Sequence, residues 1–234
     1  MKNKRIWSGI TIILACFIGL ISGINGDQSI QNKYSPYFYQ KKSLFEQLPN
    51  TQNEIIFLGD SITDGCNWAE LLQDPCIKNR GISGDVTDGV LERLEEVTES
   101  KPQRIFLMIG INDLARGRSV DYVLNNIKRI YKAVKDKSPG TKLFIQSVLP
   151  VNPDFKLFPD HVNKSREVIE VNRGLMKICA HYELPYINVY SHLIDKEDKL
   201  SSDYTNDGLH LTGAGYIVWG NIVKKYLKNS SFVP

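Results

Sequence analysis

Five short apolar runs, separated by helical patterns, constrain this chain more than any other feature. Glu54–Gly59 is apolar after its leading glutamate and closes on a glycine, and Arg104–Ile109 is apolar after its arginine. Leu143–Leu149 and Tyr186–Val189 repeat the theme, with Cys76–Asn79 a weaker version. Runs this short and apolar suit strands buried on both faces, as in a parallel sheet. Between them the spacing predicts helices over Trp68–Gln73, Asp85–Glu99, Val120–Val134, Lys164–His181 and Thr212–Leu227. In the second of these Val86, Val90, Leu91, Leu94 and Val97 recur at helical intervals, and Ser138-Pro139-Gly140 stops the third. Alternation of this kind predicts an α/β fold, a parallel sheet with helices on both faces.

Ligands of such sheets sit beyond the carboxyl ends of the strands. The residues that follow the strands are therefore expected on one rim: Asp60-Ser61, Arg80-Gly81, Gly110-Ile111-Asn112-Asp113 and Pro150-Val151. The connection Pro150–Asn163 is long for this kind of fold, and a role in binding is expected of it.

The N-terminus reads differently. Lys2, Lys4 and Arg5 precede an uncharged run from Ile6 to Ile24, with small residues at Ser22, Gly23 and Gly26. A basic start, an apolar middle and a small-residue exit predict a signal peptide over residues 1–26. An uncleaved anchor or lipidation at Cys16 are the alternatives, and all three imply export, to a periplasmic or extracellular location. Residues 27–53, with Tyr34, Pro36, Tyr37, Phe38 and Tyr39, form a lead-in segment with one helical turn expected. The domain proper is residues 54–234.

The chain has 29 basic and 26 acidic residues, and removing the three bases of residues 1–26 leaves 26 of each sign. A neutral body argues against nucleic acid as a partner. Any membrane association is expected through the N-terminal segment alone. Cys66, Cys76 and Cys179 include no close CxxC pair, so a zinc site is unsupported. Cys66 and Cys76 are candidates for pairing, while Cys179 falls in a helical pattern and reads as packing.

The chemistry is expected at three places. Gly59-Asp60-Ser61-Ile62-Thr63-Asp64-Gly65 puts a serine at a strand-to-helix turn, where backbone donors favour negative charge. A helix cap or a phosphate-binding turn of the flavodoxin type explains that heptapeptide equally well. Asp207-Gly208-Leu209-His210, at the opening of the last helix, offers a base and a group to orient it. His161, His181 and His192 have no comparable setting in the sequence. Donors for an oxyanion are available in the amides of Ser61 and Gly81 and the side chain of Asn112.

Taken together, these blocks resemble the SGNH hydrolases, the GDSL-type esterases. Gly59-Asp60-Ser61, Gly81, Gly110-x-Asn112-Asp113 and Asp207-x-x-His210 match the four blocks over about residues 54–228. Ile62-Thr63 departs from the usual Leu-Ser and is similar to the branch with platelet-activating-factor acetylhydrolase-like and carbohydrate acetylesterase-like members. The resemblance implies a three-layer α/β/α sandwich on a five-stranded parallel sheet, with no metal or organic cofactor. It implies Ser61 as nucleophile, His210 as base and acid, Asp207 as its orienting group, and Ser61, Gly81 and Asn112 as the oxyanion hole. The expected activity is hydrolysis of short acyl esters, acetyl above all, on a carbohydrate or other small-molecule alcohol. Phe155 and Phe158 are candidate platforms for a sugar ring, and Arg116 for an acidic sugar. A lysophospholipase or thioesterase with the same triad, or a binding module without catalysis, are the competing readings.

Overall fold

The computed structural model describes residues 33–227. The signal-peptide expectation for residues 1–26 lies outside them. In chain order the elements are α1 (Pro36–Gln47), β1 (Ile55–Gly59), α2 (Ser61–Asp64), α3 (Trp68–Leu72), β2 (Ile77–Gly81), α4 (Thr87–Glu92) and α5 (Leu94–Glu99). Then follow β3 (Arg104–Met108), α6 (Ile111–Ala115), α7 (Val120–Lys137), β4 (Lys142–Gln146), α8 (Pro159–Val162), α9 (Ser165–Tyr182), β5 (Tyr186–Ile187) and α10 (Gly213–Leu227). The five strands form one sheet in the order β2-β1-β3-β4-β5, and every pairing is parallel. The α/β sheet expected from the apolar runs is therefore present, with β1, β3, β4 and β5 shorter than the apolar stretches suggested and β2 running on to Gly81.

Register explains why the apolar runs fit. Phe57, Phe106 and Phe144 are cross-strand partners, and their rings stack 5.0 and 4.7 Å apart across the sheet. Trp68 of α3 continues the stack on Phe57 at 4.2 Å, and Trp219 of α10 meets Trp68 edge-on at 4.6 Å. Side chains alternate along a strand, so Ile56, Leu58, Ile105, Leu107, Leu143 and Ile145 are left for the opposite face. There α7 packs against α4, α5 and α9, burying Val123, Ile127, Ile130 and Val134. β1 lies between β2 and β3, so the chain leaves it in both directions. The crevice of the sheet therefore opens at the carboxyl ends of β1 and β3.

Two local expectations are corrected. Residues 85–99 form two helices, not one, because the backbone of Arg93 leaves helical geometry (φ −109, ψ 15) between α4 and α5. The cause is visible in its side chain, which is fully buried and points into the core. Its Nε donates to Asp85 Oδ2 at 2.8 Å, and its Nη2 donates to the carbonyls of Gly59 (3.1 Å) and Arg80 (2.8 Å). Residues 27–53 carry a helix of 12 residues where one turn was expected. Ser35 Oγ accepts from the Phe38 amide, Pro36 opens the helix, and Phe38 and Phe45 pack with Ile82 and Val86. Cys66, Cys76 and Cys179 are free thiols, with Cys66 and Cys179 buried as small packing residues.

Replacing Arg93 with Met leaves the Asp85 carboxylate buried without its partner, a change that typically costs about 3–5 kcal/mol. Urea unfolding of Arg93→Met should show a loss of that order, and a variant as stable as the parent would contradict this reading of the network.

Candidate active site

The site is assembled at the carboxyl rim from turns far apart in sequence. Gly59 ends β1, Asp60 is the N-cap of α2, and Asp60 Oδ1 accepts the Ile62 amide at 3.0 Å. This leaves Ser61 at the first helical position, where an amide has no intrahelical acceptor. None is found for it among the described residues. Ser61 Oγ lies 3.1 Å from His210 Nε2, and His210 Nδ1 lies 2.7 Å from Asp207 Oδ2. Asp207 Oδ1 accepts the amides of Leu209 and His210 at 2.8 and 2.7 Å. These bonds fold residues 207–210 into a turn that precedes α10 by three residues, so the pair stands before the final helix instead of opening it.

The protonation states follow from the contacts. Burial opposes ionisation of Asp207, but the hydrogen bond from His210 and the two amides outweigh it and hold the carboxyl below its usual range. An ionised carboxylate only accepts, so Nδ1 of His210 carries a proton. In the neutral ring Nε2 is then the lone-pair nitrogen and faces the Ser61 hydroxyl. That is the tautomer a general base requires.

Asn112 lies on α6 directly after β3 and is 7% exposed. Its Nδ2 donates to the Asp85 carbonyl at 2.8 Å, and its Oδ1 lies 2.9 Å from His161 Nε2. The amide keeps a second Nδ2 proton. Asp113 beside it is fully buried and binds the Thr87 amide and hydroxyl at 2.9 and 2.7 Å, tying α6 to the start of α4.

Gly81 does not sit as expected. Its amide donates to Asn79 Oδ1 at 2.7 Å and so is not open toward the rim. Its missing side chain serves packing: a Cβ there would lie 2.2 Å from the Asp64 nitrogen. Gly84, three residues on, has the properties sought in Gly81. It stands exposed in the turn after β2 at φ +79, its amide has no acceptor among the described residues, and it neighbours the Asp85 carbonyl that holds Asn112. The sequence carried the signal in Gly81-Ile82-Ser83-Gly84, but choosing between two glycines needs the turn geometry.

An open pocket of about 480 Å³ lies over Ser61 and His210, with Tyr37, Asp64, Ser83 and Tyr216 among its walls. Tyr37 and Ser83 hydroxyls both donate to Asp64 Oδ2, at 2.8 and 2.9 Å, and Lys41 Nζ lies 3.1 Å from Oδ1. The lead-in helix α1 thus supplies part of the wall, which nothing in the sequence of Tyr37 announced. A larger cavity of about 670 Å³ lies at the opposite end of the sheet, beside Lys142 at the start of β4. It contains no nucleophile–base pair and is remote from the rim. Among the described residues no cluster of His, Cys, Asp or Glu is arranged to hold a metal ion.

The pattern of the GDSL-like Lipase/Acylhydrolase family matches residues 57–218, spanning all these elements from β1 into α10. The chain belongs to that family. Human platelet-activating factor acetylhydrolase IB subunit alpha1 is 28% identical over 173 residues, 70% of each chain. The N-acylneuraminate cytidylyltransferase of Streptococcus agalactiae serotype V is 26% identical over 196 residues. That match covers 84% of this chain but only 43% of the relative, so the chain spans less than half the length of that enzyme. Among solved structures, a Streptococcus pneumonia protein described as a platelet activating factor superposes with a TM-score of 0.74 at 30% identity. The superposition covers 82% of this chain and 91% of the other. The three-layer sandwich expected from the resemblance is thereby shown.

Asp60, the family's acidic residue before the serine, is 1% exposed. Burial raises its carboxyl to about 7, with Asp85 and Asp113 adding and the Ile62 amide opposing. In the unfolded chain an Asp titrates near about 3.9. A folded pKa above the unfolded one gives stability that is full below about 4 and is lost as pH climbs through about 7. Between pH 4.5 and 8 the parent should therefore lose more unfolding free energy than Asp60→Asn, measured by urea titration. Equal losses would contradict the assignment.

Proposed function

We propose that this protein is an exported serine esterase that removes short acyl groups, acetyl above all, from a carbohydrate or similar polar alcohol. The observation that carries the reading is the continuous chain from Ser61 Oγ through His210 to Asp207 at 3.1 and 2.7 Å. Its order matches what nucleophilic catalysis demands: nucleophile, base, and an ionised group that fixes the base. Family membership supports the reaction class, and the acetylhydrolase name of the human relative supports a small acyl group.

In this reading Ser61 Oγ attacks the ester carbonyl as Nε2 of His210 takes its proton. The oxyanion is met by the amides of Ser61 and Gly84 and the second Nδ2 proton of Asn112, with Gly84 replacing Gly81 in that role. Each such donor contributes about 3–4 kcal/mol to the transition state. The alcohol leaves with the proton from His210, giving acyl-Ser61. Water, deprotonated by His210, then cleaves the acyl group as a carboxylic acid and restores the hydroxyl.

The pocket supports a polar alcohol, since Tyr37, Ser83 and the Asp64 carboxylate face it. One feature favours a longer acyl chain instead. Leu157 and Phe158 are exposed (51% and 44%), and the Phe158 ring stands 5.2 Å from that of His210. Export rests on the pattern of residues 1–26, and N-terminal sequencing of protein recovered outside the cytoplasm tests it.

Hydrolysis of p-nitrophenyl acetate, butyrate and octanoate decides between the acyl lengths. Turnover should be highest on acetate, and an octanoate preference would move the assignment to lipid esters. On the best substrate Ser61→Ala and His210→Ala should lower kcat at least about 1,000-fold. Asp207→Asn should be less severe, because the orienting group is partly replaceable. A Ser61→Ala variant with parental kcat would overturn the mechanism.

A further inference from the structure

The hydrogen-bond chain through Asn112 ends on a residue that the nucleophile and its base do not account for. Asn112 Nδ2 donates to the Asp85 carbonyl, and Oδ1 lies 2.9 Å from His161 Nε2. A carbonyl only accepts, so the Asp85 contact fixes which end of the Asn112 amide carries the hydrogens. Oδ1 then faces His161, and it too only accepts. Nε2 of His161 therefore carries a proton. Burial, the neighbouring His210 and Arg116 lower the affinity of this ring for a second proton, with Asp160 opposing. The neutral Nε2–H tautomer makes the bond without one.

The turn that carries His161 is built to hold its ring there. Phe158 adopts a left-handed conformation (φ 50), and its carbonyl accepts the amides of His161 and Val162 at 2.8 and 3.0 Å. Pro159 opens α8 with its φ fixed, and the Asn163 side chain donates back to the Pro159 carbonyl at 2.9 Å. Val162, 1% exposed, anchors the turn in the core, and α8 packs against α6, the helix of Asn112.

We infer that His161 is a positioning residue for Asn112: it holds the Oδ1 end of the amide while Asp85 holds one Nδ2 proton, leaving the other for the oxyanion. The inference rests on the reading above that Asn112 meets the oxyanion. A side-chain amide tethered at one end swings about its χ angles, and a donor that must reorganise loses much of its catalytic effect. Two tethers of opposite polarity remove that freedom. The long connection after β4 thus supplies a support for the catalytic machinery.

The test is a double-mutant cycle on the full chain. His161→Phe and His161→Leu remove the donor, whereas His161→Gln places an amide N–H close to where Nε2 stands. Loss of the donor should lower kcat roughly 10- to 100-fold with KM changed less than about two-fold, and the Gln variant should stay within about three-fold of the parent. In an Asn112→Ala background His161→Phe should change kcat by less than about two-fold, because the group it acts through is gone. Near-UV circular dichroism checks folding, and the Leu variant replaces Phe if the larger ring disturbs the turn. An equal penalty in both backgrounds, a Gln variant as impaired as Phe, or an effect confined to KM would each overturn the inference. A folded parent with no esterase turnover would remove the esterase reading itself, and this inference with it.

Discussion

The arrangement of the rim depends on one buried cation. Arg93 is fully enclosed, and its guanidinium joins the carbonyl that ends β1, a carbonyl near the end of β2, and the carboxylate of Asp85. These three places control the nucleophile turn, the glycine turn after β2, and the Asp85 carbonyl on which Asn112 rests. Glu96 completes the cluster, 3.1 Å from Arg80 and 3.8 Å from Arg93. A buried ion pair is weak evidence for stability as such. Here its geometric effect is plain, since a planar guanidinium with several donors can hold carbonyls from adjacent strands in fixed relation where an apolar side chain could make none of these bonds.

Above that base, the long connection after β4 acts as a second frame. Near its start the Asn152 amide donates to the Gly208 carbonyl at 2.8 Å, bracing the turn that carries Asp207 and His210. Near its end His161 meets Asn112. One segment therefore supports both the proposed base and the proposed oxyanion donor. Tyr37 of α1 and Ser83, gathered on Asp64, line the open pocket over Ser61 and His210. Ser61, His210 and the pocket wall are thus each held from a different stretch of chain.

Much of this was legible from residue order because the informative signals were local. Apolar runs of strand length alternate with 3.6-residue periodicity, and the parallel pairing follows from that alternation. Ser61 and Asn112 open short helices after β1 and β3, Asp207 and His210 share one turn, and the neighbours of each single it out. What escaped reading depends on contacts between distant residues. Gly81 and Gly84 are equivalent as letters, and only the backbone φ and the partner of each amide separate them. Arg93 reads as one polar position on a continuous amphipathic helix, because nothing local shows that its side chain turns inward. His161 lies 49 residues from Asn112 in a loop without periodicity, and Tyr37 reaches the pocket from the lead-in segment, where only one helical turn was expected. Long-range polar contacts leave almost no trace in composition or spacing.

The central claim is that Ser61 is a nucleophile activated by His210 and Asp207. Its most direct test is covalent: incubate the folded protein with a fluorophosphonate, weigh the intact chain, and map the modified peptide. The account predicts a single adduct, located on Ser61 and absent from Ser61→Ala. A folded parent that takes up no reagent, or an adduct that persists in Ser61→Ala, would contradict it.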